Sequence, residues 1–211
     1  MKTCFILLLA LGSICGFRSA AAQEPVSLTF SNQLNKESET VRSMAELQQI
    51  KAWEVLVTGK IAGRSYSLQT VHCVDGKEQR STEKMSRPAQ TDTLRLLFLT
   101  QAIGQDSVRM LINTPCEKEE SGYAVQDARS CILLEPFPEK ELTTADAIPV
   151  MAFCQGAPID FPLPDGTTAK GISYCNVRDG HLHPSKWHER FKLKDYIYFE
   201  IKFADPPTTG K

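Results

Sequence analysis

The chain has no excess of charge of either sign. It carries 24 Lys and Arg against 25 Asp and Glu over 211 residues, a net charge of −1 at pH 7. Nucleic acid wants a concentrated basic surface, so it is not an expected partner. No C-x-x-C occurs, which removes thioredoxin-type redox chemistry. No G-x-S-x-G occurs, which removes the nucleophile elbow of the hydrolases. A Gly-rich phosphate loop is missing as well. There is no internal repeat, low-complexity tract or long linker, and no asparagine stands in an N-x-S/T acceptor. Beyond the N-terminal stretch no apolar run is long enough to cross a bilayer, so no transmembrane segment is expected after it. Histidine is scarce, with four in all, yet three of them fall between Tyr174 and Phe191.

What is present begins with "MKTCFILLLALGSICGFRSAAAQ". Lys2 supplies a positive start, Cys4 to Phe17 is apolar or small, and Ala20 to Ala22 offer an A-x-A cleavage site before Gln23. This layout predicts a signal peptide over residues 1–22 and a single β-rich domain over 23–211. The expected location is periplasmic, cell-surface or secreted. Ile14 directly precedes Cys15, where a lipoprotein signal needs a small residue, so lipid anchoring is not expected.

The dominant hydrophobic period is two. "DYIYFEIKF" sets Ile197, Phe199, Ile201 and Phe203 on one face and Tyr196, Tyr198, Glu200 and Lys202 on the other. "WEVLVTGKIAGRSYSLQTVHCV" reads as two strands turning at residues 62–64, and the following Asp75-Gly76 predicts a hairpin into "EQRSTEKM". "TLRLLFLTQ" and "SVRMLIN" flank a second hairpin turn, and "PVSLTF" and "SCILLEPF" add further strands. One segment differs: Val41, Met44, Leu47 and Ile50 recur at helical spacing and predict an amphipathic helix over 38–51. Thr143 to Ala147 suggests one further helical turn. The fold class expected is mainly β, an antiparallel β-sandwich or barrel with one N-terminal amphipathic helix, with α+β as the alternative. Pro158, Pro162 and Pro164 weaken any strand in "APIDFPLPDGTT" and favour a stiff connector.

Five cysteines follow the expected leader: Cys73, Cys116, Cys131, Cys154 and Cys175. An exported chain meets an oxidising compartment, so disulfides are allowed. Pairing in chain order joins Cys116 to Cys131 and Cys154 to Cys175, each closure worth about 3 kcal/mol where the geometry fits. The alternative is reduced, buried thiols acting as small hydrophobes. An odd count leaves at least one thiol free or paired between chains.

"YCNVRDGHLHPSKWHERF" concentrates the candidate chemistry. On a strand His181 and His183 share a face, and His188 returns beyond the Pro184 bend. Two imidazoles plus a third ligand suit zinc or another transition metal, with Asp179, Glu189 and Cys175 as further donors. The H-x-H spacing resembles the cupin motif over about ten residues, but Pro184 follows the second histidine and Glu189 comes one position late. The alternative is a polar surface turn. His72 and Cys73 are adjacent, so on a strand they point to opposite faces and form no dyad. His72 then reads as a core or edge histidine.

Trp187, Tyr196 and Tyr198 are the other lead. Rings exposed together on a sheet stack on sugars or anchor a protein partner, while rings covered by another layer belong to the core rim. The expected function is a non-catalytic exported binding or interaction domain for a glycan or protein. The alternative is a metal-binding β-barrel protein or metal-dependent enzyme using His181, His183 and His188. The "AAAQ" leader end, the single β-rich domain and the missing N-x-S/T acceptor together resemble uncharacterised exported proteins of Bacteroides-type bacteria. That resemblance implies a periplasmic or surface location and no particular activity.

Overall fold

Strand pairing organises nearly the whole chain. The computed structural model describes residues 23–82, 88–137 and 140–204. The expected leader lies outside them. Numbered in chain order, one sheet runs β7 (Lys118–Ala124), β6 (Ser107–Asn113), β5 (Thr93–Ala102), β2 (Ile50–Gly59), β1 (Pro25–Asn32) and β9 (Leu142–Thr143). The second sheet runs β4 (Lys77–Arg80), β3 (Tyr66–Val74), β13 (Asp195–Phe203), β10 (Ile148–Cys154) and β8 (Ile132–Leu134). A separate ribbon pairs β11 (Ala157–Pro162) with β12 (Thr168–Ser173). Every pairing is antiparallel. The fold is mainly β, with half-barrel curl in one sheet.

The two large sheets face each other across the main core. Val55, Val57, Leu94, Leu96, Phe98 and Met110 from the first sheet meet Ile148, Val150, Ile197, Phe199 and Ile201 from the second. Phe98 and Phe199 pack across the centre with ring centroids 5.0 Å apart. Residues 62–64 turn as expected, but they carry the chain from the first sheet to the second, so β2 and β3 do not pair. Asp75 and Gly76 both have positive φ, 47° and 77°, which is the I′-type turn that the Asp-Gly pair predicts.

The helix is shorter than its periodicity suggests. α1 spans Glu39–Leu47, capped where the Ser38 side chain accepts from the Val41 N–H. Gln49 then turns left-handed at φ 55° and Ile50 opens β2. The cause is tertiary: Asn32 of β1 pairs with Trp53 of β2, so the helix is a brief excursion between neighbouring strands. Only Ala45 is buried, and Val41, Met44 and Leu47 are exposed. The apolar stripe therefore does not dock on the sheet. Residues 144–146 form a turn, not a helix.

The outer face of the second sheet is covered by a layer from residues 174–194. α2 (Tyr174–Arg178), a 3-10 turn (Pro184–Lys186) and α3 (Trp187–Phe191) lie on it. Val71, Cys73, Ala152, Cys154, Tyr196 and Tyr198 of the sheet form a second core with Val177, Trp187 and Leu193 of the layer. β13 is thus buried on both faces, continuously from Tyr196 to Ile201.

The proline-rich segment is a strand after all. β11 pairs with β12 from Ala157↔Ser173 to Pro162↔Thr168. At its neck a Cβ on Gly156 would stand 2.7 Å from the Ser173 carbonyl carbon, so only glycine lets the two strands approach there. Phe161 lays its ring over Gly171, whose missing side chain makes the room.

All five described cysteines are free, which corrects the expected disulfides. Cys116 sits in the β6–β7 turn, and Cys131 follows Ala128, whose N–H donates to Gln105 O at the far end of β6. Seven residues of extended chain separate those ends by roughly 20 Å. Cys154 and Cys175 bracket the ribbon's neck, but Cys154 is buried in the second core while Cys175 is exposed. Burial also pushes the Cys131 thiol up to about 12, helped by Asp195 and Asp127, and pushes Cys154 up too. Both are protonated, inert thiols at neutral pH. We expect thiol labelling of the native protein, mapped by mass spectrometry, to modify Cys116 and Cys175. Cys73, Cys131 and Cys154 should react only after denaturation.

Candidate functional site

The residues singled out by sequence separate into different environments. Trp187, Tyr196 and Tyr198 do come together, but inside the molecule, each no more than 1% exposed. Trp187 donates through Nε1 to Leu182 O at 3.0 Å, and its ring lies 5.8 Å from Tyr196. Tyr196 stacks on Tyr198 at 6.2 Å and donates to Pro184 O at 2.8 Å. Tyr198 donates to Glu78 Oε1 at 2.6 Å. Burial pushes both phenols above their ordinary range, reinforced by Cys73 at Tyr196 and by Glu78 at Tyr198. These rings fasten the helical layer to the sheet and present no ligand surface, which corrects the expected exposed platform.

The three clustered imidazoles have separate partners. His181 is an exposed left-handed residue at φ 50°. His188 donates through Nδ1 to Leu193 O at 2.8 Å and rests its ring over Gly76. His183 accepts from the Ser185 N–H on Nδ1 at 3.2 Å, so its Nε2 carries the proton toward Glu200 Oε1 at 3.3 Å. Among the described residues no three His, Cys, Asp or Glu side chains gather as a metal-binding group. Residues 181–183 are an irregular link between α2 and the 3-10 turn, not a strand, so the shared face expected for His181 and His183 does not form.

Glu200 is the polar centre of this layer. It is 2% exposed and accepts from Arg80 NH1 at 2.7 Å as well as from His183. Arg80 also donates to Glu78 at 2.8 Å, to Gln69 at 3.2 Å and to the Tyr198 hydroxyl at 3.3 Å. Burial works to raise the Glu200 carboxyl, but hydrogen bonds from His183 and Arg80 outweigh it and hold the group below the ordinary range. For Arg80, burial is likewise outweighed by Glu200 and Glu78, and the guanidinium is held more firmly charged. Every member has a partner, which is what a buried polar network requires.

A broad, open groove lies elsewhere, between the open edges of the two sheets. A groove of about 700 Å³ runs between β3, β4 and β13 on one wall and β7 with its flanking turns on the other. His72, Gln79, Asp106, Tyr123, Gln126 and Asp195 supply its polar lining. Asp195 Oδ1 accepts from His72 Nε2 at 2.7 Å, and Oδ2 accepts from the Gln126 N–H at 2.7 Å. One carboxylate therefore ties the two walls together. Because the carboxylate only accepts, His72 carries its proton on Nε2, and Nδ1 of the neutral ring is an acceptor. Tyr123 stands edge-on to His72, ring centroids 6.1 Å apart. Val125 N–H donates to Asp106 O at 3.1 Å, which fixes the turn carrying Asp106 against this end of β7.

The core or edge histidine expected at position 72 is a groove residue paired with Asp195. Local spacing held no signal for the pair: the two lie 123 positions apart and meet only because β3 pairs with β13. Comparison with family models, with curated proteins and with solved structures gives no match.

Glu200 carries a pH dependence with a definite sign. Its carboxyl lies lower in the folded protein than in the unfolded chain, so its stabilisation is present above the ordinary Glu value, about 4.3, and is lost as pH falls through the folded value. We expect Glu200→Gln to lower stability at pH 7 by about 3 kcal/mol, the lower end for breaking a buried pair, since Arg80 keeps some solvent. The acid limb of Tm against pH should also flatten in the variant. An unchanged acid limb by differential scanning calorimetry contradicts this assignment.

Proposed function

We propose that the protein is an exported, non-catalytic binding domain that holds a glycan in the groove between its two sheets. The observation that carries this reading is the lining: Tyr123, two carboxamides and two carboxylates converge with His72 on one open cavity of about 700 Å³. The groove is wide and open, a shape that admits an extended ligand. Sugars are recognised by an apolar ring face together with planar hydrogen-bonding groups, and Tyr123, Gln79, Gln126 and Asp106 are of those types. Asp195 is engaged on both oxygens by His72 and Gln126, which favours a rigid, pre-formed wall. Export rests on the layout of residues 1–22. No helix among the described residues is long and apolar enough to cross a membrane.

The test is a glycan array followed by calorimetric titration of the ligands it identifies. Tyr123→Ala should weaken binding at least about tenfold, near 1.4 kcal/mol. Met44→Ala, on the exposed face of α1, should leave binding unchanged. An array without a binder, or affinity that Tyr123→Ala does not alter, overturns the reading. Sequencing of the secreted protein should place its N-terminus at Gln23.

A further inference from the structure

The two edges of the β11–β12 ribbon are chemically unlike. Leu163 N–H donates to Thr167 O at 2.8 Å, which marks 163 and 167 as a hydrogen-bonded pair. Bonded and non-bonded pairs alternate along an antiparallel ladder. It follows that Phe161↔Ala169, Ile159↔Gly171 and Ala157↔Ser173 are bonded pairs. Pro158↔Ile172, Asp160↔Lys170 and Pro162↔Thr168 are then the non-bonded ones, whose backbone groups point outward to the edges. On the β11 edge Pro158 and Pro162 have no N–H, and Asp160 alone offers a donor. On the β12 edge Thr168, Lys170 and Ile172 each offer a donor and an acceptor, and all three residues are exposed. Among the described residues no strand pairs with that edge.

We propose that the open edge of β12 pairs antiparallel with the same edge of a second copy of this chain. The product is a four-stranded sheet, β11–β12–β12–β11, with its two-fold axis at Lys170. This goes beyond the groove and does not depend on it.

Two features favour a second copy over another strand. The first is register. With Lys170 on the axis, Thr168 faces Ile172 of the partner subunit, and every outward residue of β12 finds a mate. Thr and Ile are both β-branched, a favourable cross-strand pair, and Ile172, now 45% exposed, becomes covered. The two Lys170 side chains that meet on the axis are a like-charge cost, which keeps the association weak. The second is termination. Both outer edges of the product are β11 edges blocked by Pro158 and Pro162, so growth stops at two chains. A lone two-stranded ribbon is marginal in water, and doubling it supplies the missing strands.

The interface is small, so we expect a weak, concentration-dependent dimer. Sedimentation equilibrium of the purified protein should show the mass rising toward twice the monomer value with concentration. Lys170→Pro removes the central donor of the open edge while sparing the ribbon's own bonds, as Pro158 and Pro162 already do opposite it. That variant should stay monomeric. Asp160→Pro makes the same change on the β11 edge and should leave the dimer intact. Cross-linking captures even a weak dimer. In a background of Cys116→Ser and Cys175→Ser, Lys170→Cys should form an intermolecular disulfide under mild oxidation. Residues opposed in a bonded antiparallel pair stand about 5.5 Å apart at Cα, within a disulfide's reach. Asp160→Cys should cross-link at least tenfold more slowly. A dimer that survives Lys170→Pro, a dimer that Asp160→Pro abolishes, or equal cross-linking at both positions overturns the proposal. So does a monomeric protein whose Lys170→Cys variant gains no selective disulfide.

Discussion

The structure depends on one strand being buried on both sides. β13 pairs with β3 along its whole length and with β10 on its other edge. Its odd-numbered residues complete the core between the sheets, and its even-numbered residues complete the core beneath the helical layer. Strand alternation makes these two sets independent in chemistry but not in position. A slip of one residue would drive Glu200 and two tyrosine hydroxyls into the sandwich interior. The network around Glu200 therefore does more than satisfy polar groups: it offers His183 and Arg80 to one register of β13 only. Because Arg80 comes from β4 and His183 from the layer above, that single carboxylate joins three segments distant in the chain.

The groove inherits its rigidity from the same strand. Asp195, the first residue of β13, reaches His72 within its own sheet and the Gln126 backbone in the opposing one. The site is thus assembled where the sandwich opens, from the end of one sheet and a turn of the other. Nothing in it belongs to the histidine-rich stretch, whose role is to cap the 3-10 turn and to cover the tyrosines.

Local signals in the sequence carried the strands well. Alternation in residues 195–203, the Asp75-Gly76 turn and the apolar runs of β5 and β6 all reflect chemistry within a few residues. Alternation says which side chains share a face, not what lies over that face, and so Tyr196, Tyr198 and Trp187 looked like a surface. The layer that buries them depends on where 174–194 folds back, which is a long-range matter. The helical spacing runs past the end of α1 because Ile50 continues it while already serving β2. Pro158 and Pro162 argued against a strand only so long as their missing donors were assumed to face the partner. They face outward, where no donor is needed. His72 and Asp195 were unreadable as a pair for the plainest reason, a separation in sequence that only tertiary pairing closes.

The place of β13 in chain order has a kinetic side. It is central in its sheet, yet it is the last strand to be synthesised among those described. Until residue 203 has been made, β3 and β10 have no common neighbour, and neither apolar layer can close. Contacts this distant in sequence make for slow, late nucleation. A nascent chain of this design keeps both layers open until β13 itself has left the ribosome.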